Sequence, residues 1–158
     1  NIHHMTLVNA ADAMGIQTPE ERVLIALVRA ASAASARSDA IVRQAGLSPS
    51  QYNVLRILRH AGPEGLSRSG IAERMVTREP DLTRIIGGLT RLRAVSTRPS
   101  ALDRRSRVSV ITARGEALLD ALDAQVCAAA VASLEGMSRT QLRQLEALLD
   151  AVRHDADG

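Results

Sequence analysis

A mainly α-helical fold with one short β-hairpin is predicted by three features of the sequence. Apolar residues recur at helical spacing through most of the 158 residues. Two short helical segments, residues 66–75 and the stretch after Arg78, are separated only by a tight turn. Two β-like runs, 95–98 and 107–111, follow directly and enclose the polar loop 99–106. Helix, turn, helix and hairpin in that order make a winged helix-turn-helix. The expected division is an N-terminal helical arm over 1–46, the winged helix-turn-helix over 47–113, and C-terminal helices over 114–158. The two arms are expected to form a dimerisation region.

The N-terminal arm begins with residues 1–4, which precede Met5 and are set aside as a candidate tag remnant, so His3 and His4 carry no functional weight. Thr18-Pro19-Glu20-Glu21 has a threonine cap, a proline in the first turn and a glutamate completing a capping box. Val23, Leu27, Ala30, Ala34 and Ile41 then recur at helical spacing up to a stop at Gly46. Residues 30–36 are almost all small, which suits tight packing against partner helices better than space for a ligand.

The reader opens with an amphipathic helix over 48–61, with Tyr52, Leu55 and Leu58 on its buried face. Tyr52, the only aromatic residue, is expected in the core with its hydroxyl on a partner. His60, near the helix end, suits the dipole rather than a metal. Ser67 caps the next helix. The recognition helix is expected to open near Thr77 or Arg78, which puts Pro80 in its first turn. Leu82, Ile85, Ile86, Leu89 and Leu92 form its apolar face. Arg84 can take the O6/N7 edge of guanine, and Glu79 or Asp81 can accept from cytosine N4. For Asp81, capping its own helix is the preferred reading. Gly87 and Gly88 interrupt this helix, each at about 1 kcal/mol against alanine. The candidate DNA contacts here are Ser67, Arg68, Arg78, Glu79, Pro80, Asp81, Thr83 and Arg84. In the wing they are Arg98, Asp103, Arg104 and Arg105, in a basic loop suited to a narrow minor groove.

Residues 112–116 open a helix carrying Leu118, Leu119, Leu122, Val126 and Ala129, broken by Gly136. Ser138, with Gln141 three residues on, caps another, striped by Leu142, Leu145, Leu148, Leu149 and Val152. Cys127 is expected to be buried and inert. As the only cysteine it excludes an internal disulfide and suits a reducing cytoplasm.

Charge is segregated. All 20 basic residues are arginine. Residues 51–115 hold 13 arginines against five acids, net +8, while 116–158 hold three against eight, net −5. A basic middle is the footprint of a nucleic-acid binder. No apolar run approaches the roughly 20 residues a spanning helix needs, and no signal-peptide pattern is present. Neither membrane nor cofactor is implied. No catalytic cluster, phosphate loop or metal spacing supports an enzyme.

From Leu47 to Gly115 the chain resembles the MarR family of bacterial transcription regulators. Residues 47–55 are similar to the lead-in to that family's second helix, and Ile71-Ala72-Glu73-Arg74-Met75 to the first helix of its reader. Asp103-Arg104-Arg105 resembles its wing, and residues 111–115 the start of its next long helix. The resemblance implies a cytoplasmic homodimer binding double-stranded DNA at a pseudo-palindromic operator, most often as a repressor. It also implies that Asp103 orients an arginine while Arg104 or Arg105 reaches DNA. A small-molecule effector, a phenol or other small anion, would sit near Ala30, Ala34, Tyr52 and Leu55. Val76, Gly87, Gly88 and Arg93 depart from the family pattern; Arg93-Ala94 stands where a Gly-Leu pair usually ends the helix. The alternative is a helical dimeric interaction protein whose degenerate reader binds an acidic partner, or nucleic acid nonspecifically.

Overall fold

A computed structural model describes Gly15, residues 18–101 and residues 105–156. The candidate tag remnant at 1–4 lies outside the described residues. Helix α1 (Pro19–Gln44) opens with the predicted capping box: the Thr18 hydroxyl accepts from the Glu21 amide, and the Glu21 carboxylate from the Thr18 amide, both at 3.2 Å. These bonds satisfy donors that a helix start leaves unpaired. The helix ends at Gly46, whose φ of +79° lets the Leu47 amide turn back to the Val42 carbonyl at 3.2 Å. Helix α2 (Pro49–Ala61) repeats the device with Ser48 and Gln51 and buries Tyr52, Val54, Leu55 and Leu58. A 3-10 turn (Gly62–Glu64) follows.

Helix α3 (Arg68–Ala72), capped by Ser67, is shorter than the sequence suggests. Helix α4 (Leu82–Arg91) starts about four residues later than predicted. Pro80 explains the delay, because proline disfavours helical backbone at the residue before it. Asp81 then supplies the cap, its carboxylate accepting from the Arg84 amide at 3.0 Å. Arg78, Glu79 and Pro80 therefore precede the helix.

Strand β1 (Val95–Pro99) pairs antiparallel with β2 (Arg107–Ile111), in register from Val95–Ile111 to Pro99–Arg107. Leu66 adds a third strand position by exchanging both backbone bonds with Ser109, at 3.0 and 2.8 Å. Helix α5 (Ala113–Ser133) leaves the hairpin from a Thr112 cap, and α6 (Arg139–Ala156) follows. Gly115 lies so close to the hairpin entry that a Cβ there would collide with the Ala94 carbonyl oxygen.

The core gathers around α2: Val54, Leu55 and Leu58 meet Ile71, Leu82, Ile85 and Leu89 of the reader and Leu119 and Leu122 of α5. Leu92, predicted on the buried face of α4, is instead 38% exposed just past the helix end. The arms keep large apolar faces open, with Val23, Leu24, Val28, Val131, Leu148 and Val152 each around 60% exposed or more within this chain. Cys127 is exposed, not buried. It follows Val126 by one position, about 100° around α5, and so turns away from the side that packs on the core.

Candidate nucleic-acid interface

Of the predicted reader residues, Ser67, Arg68, Glu79, Pro80 and Thr83 come together around one groove, in different roles. Ser67 is a cap, accepting from the Gly70 amide at 3.1 Å. Arg68 reaches across to α4 and donates to the Thr83 hydroxyl at 3.2 Å, tying the two reader helices together. With Pro80 and Leu82 these residues border a polar groove of about 510 Å³ between α3 and the start of α4. Asp81 is occupied as the helix cap and also holds the Arg84 Nε at 3.1 Å. Asp81 thus caps its own helix, the preferred reading of the sequence, and positions Arg84 as well. The Arg84 side chain stays 79% exposed, with its terminal nitrogens beyond the bond to Asp81. Glu79 faces inward, its carboxylate accepting from the Ser50 hydroxyl at the start of α2. Arg78 is exposed.

In the wing, Arg98 donates to the Pro63 carbonyl at 2.6 Å, which anchors β1 to the turn after α2, and it stays exposed. Arg105 is exposed. Asp103 and Arg104 lie outside the described residues. Arg107 braces the hairpin through the Thr97 carbonyl at 3.2 Å.

Two features of α4 escaped the sequence reading. Arg91, exposed, follows Arg84 by seven residues and therefore shares its face of the helix. Arg93 adopts φ +58°, the left-handed conformation expected of glycine, and its amide closes onto the Thr90 carbonyl at 2.9 Å. The Ala94 amide closes onto the Leu89 carbonyl at 2.9 Å, so the helix ends with the usual left-handed cap although arginine supplies it.

Behind the reader, a cavity of about 560 Å³ opens between α1, α2 and α5. Ala34 and Tyr52 line it as predicted. Ala30 and Leu55 do not: Ala31 takes the place of Ala30, while Leu55 is fully buried against the core. Its lining is mostly apolar, with Arg56, Asp39 and several hydroxyls at intervals. The Tyr52 hydroxyl donates to Asp123 on α5 at 3.2 Å, and the same carboxylate accepts from Arg59 at 2.6 Å. Burial, reinforced by the Asp123 charge and hydrogen bond, raises the Tyr52 pKa above its ordinary value of 10.0. Arg59 is raised as well, chiefly by its hydrogen bond to Asp123. Asp123 is 71 residues from Tyr52, and the sequence offered no sign of the pairing.

Residues 45–106 match the model of the MarR family. This segment belongs to the MarR family. The MarR segment runs from the end of α1 through α2, both reader helices and most of the wing. Solved structures resemble the chain well beyond it. A MarR transcription factor from Planctomyces limnophilus is 29% identical, with a TM-score of 0.65 over 85% of this chain and 98% of that one. CouR from Rhodococcus jostii RHA1, bound to p-coumaroyl-CoA, shares the fold at 23% identity and a TM-score of 0.75, over 86% and 94%. MepR of S. aureus, in complex with DNA, does so at 17% identity and a TM-score of 0.71, over 84% and 94%. No curated protein matches the chain.

Proposed function

We propose that the protein is a MarR-type transcription regulator, a cytoplasmic homodimer that binds a pseudo-palindromic operator and represses from it. The observation carrying this reading is the exposed outer face of α4, where Arg84 and Arg91 stand on a basic winged helix held rigidly by the core. Here 1–46 and 114–158 act as dimerisation arms and 47–113 as the DNA-binding unit. The open apolar faces of α1, α5 and α6 support a second copy as their cover. The charge asymmetry between middle and C-terminus supports DNA rather than an acidic protein as the reader's partner.

A small-molecule effector is the second part of the proposal. The cavity has the size and mixed lining of a ligand site. CouR, of the same fold, was solved with p-coumaroyl-CoA. Here Tyr52 is the only aromatic residue and its hydroxyl is engaged by Asp123, which favours a ligand held by aliphatic contacts and Arg56 over one held by stacking.

Binding to duplexes enriched from random sequence tests the reading. Arg84→Ala should weaken the enriched site by about 1–3 kcal/mol and relax one symmetric base position. Arg105→Ala should weaken all duplexes alike and flatten the salt dependence. If no duplex is enriched, or if Arg84→Ala leaves the preference intact while Arg105→Ala binds normally, the basic face does not read DNA.

A further inference from the structure

Gly87 stands at the centre of the outward face of α4. At about 100° per residue, buried Leu82, Ile85 and Leu89 define the inward side and Gly87 falls opposite them. Thr83 and Arg84 lie one turn before it and Arg91 one turn after. Among the described residues nothing requires glycine at this position. Its φ is not positive, and a Cβ added there would find no atom nearer than Arg91 Nη1 at 4.0 Å, an ordinary contact. Gly88 is different, since a Cβ there would come within 2.8 Å of Gln51 Nε2 and the end of that side chain would have to shift. A glycine in mid-helix on an open face weakens the helix without return inside its own chain. Its physical use is to let another molecule approach the backbone closely.

We propose that Gly87 is a DNA contact: its bare backbone lies against the base edges at the floor of the major groove. This rests on the reading of the chain as a DNA binder. Without a side chain at its most forward point, α4 sits deeper in the groove than a helix bearing one there. Arg84 and Arg91 then straddle the contact. They are separated by about 10.5 Å along the helix axis, roughly three base steps. Both can take a guanine edge, while the Gly87 surface offers an apolar seat for a thymine methyl. The enriched half-site should accordingly carry guanines flanking a central A·T pair, and Arg91 joins Arg84 as a specificity-determining residue.

Gly87→Ala tests the inference, because it strengthens the helix while adding one methyl group at the contact. Thermal unfolding of the variant should match or exceed the native protein. Its affinity for the enriched duplex should fall about ten-fold or more, with affinity for a scrambled duplex nearly unchanged. A variant that binds the enriched duplex as tightly as the native protein overturns this inference alone. A native protein that prefers no duplex overturns the DNA-reading function, and this inference with it. Arg91→Ala on the same duplexes should relax a base position about three steps from the one Arg84→Ala relaxes. Unchanged preference there also counts against the proposal.

Discussion

Replacing Asp123 with alanine tests how the reader is fixed to the arms. One carboxylate holds Tyr52 and Arg59 of α2 from the side of α5. The Tyr52 hydroxyl donates to a charged carboxylate, but at 3.2 Å the bond is long, which holds its contribution to about 0.5–1.5 kcal/mol. The ion pair at 2.6 Å is shorter, but its side chains are 32% and 38% exposed, so solvent screening reduces it to about 0.5–1 kcal/mol. Asp123→Ala should therefore cost about 1–2.5 kcal/mol in denaturant unfolding. Tyr52→Phe alone should cost about 0.5–1.5 kcal/mol. Together they should cost less than the sum, because both remove the same bond.

Tyrosine titration gives an independent reading. Tyr52 is the only tyrosine and the chain has no tryptophan, so tyrosinate absorbance reports on a single side chain. Its folded pKa lies above the unfolded value, so the folded state favours the neutral phenol. The associated stability is complete below about pH 10 and is lost as pH rises through the folded pKa. Asp123→Ala should lower that pKa, because it removes the carboxylate's charge and hydrogen bond and leaves burial opposed by Arg56 and Arg59. A variant in which Tyr52 titrates as in the native protein, or which loses under about 0.5 kcal/mol, would refute the seam as a structural tie.

Gly115→Ala should destabilise the fold by about 1–3 kcal/mol in thermal unfolding, since the added methyl meets the Ala94 backbone oxygen, which cannot rotate away. Arg93→Gly should stabilise it by about 0.5–1 kcal/mol, relieving a left-handed arginine, and unchanged stability would mean the cap carries no strain. Sedimentation should show the native protein at twice 16.9 kDa. Charges at Leu148 and Val152, both open in the single chain, should reduce it to one copy, and a native monomer at micromolar concentration would rule out the dimer.

What the sequence made legible was local. Thr18 with Glu21 and Ser138 with Gln141 close bonds across three residues, so the pattern alone predicts them. The hairpin and the basic reader were legible for the same reason: alternation and charge are written along the chain. The start of α4 was not, because Pro80 and Asp81 compete as the opening residue and the proline's effect on Glu79 decided it. The left-handed cap at Arg93 was not legible either, because its conformation is set by tertiary contacts. The Thr112 hydroxyl donates to its carbonyl at 2.7 Å, and Ala94 beside it is fully buried. The cavity was placed in the right region, but Ala31 replaced Ala30, a one-residue phase error in a helix of 26 residues.

The cavity reaches the recognition helix through the turn that precedes it, and that gives the proposed ligand a physical route to the proposed DNA contacts. Ser50 and Asn53 line the cavity and also hold the segment leading into α4: Ser50 through Glu79, Asn53 through the Met75 sulfur at 3.6 Å. Between them, Gln51 packs against Gly88. Val76 and Thr77, in the turn between the reader helices, complete the lining. A molecule too large for the space must displace α1, α5 or this turn. Among these, the turn has the least support: Val76 is 85% exposed, and the turn lies between helices of five and ten residues. Because Asp81 caps α4 and pairs with Arg84, a displaced turn carries Arg84, the proposed base contact, with it. The same late helix start that moved Pro80 out of α4 thus leaves a longer turn before it, in which Val76 and Thr77 stand on the wall of the cavity.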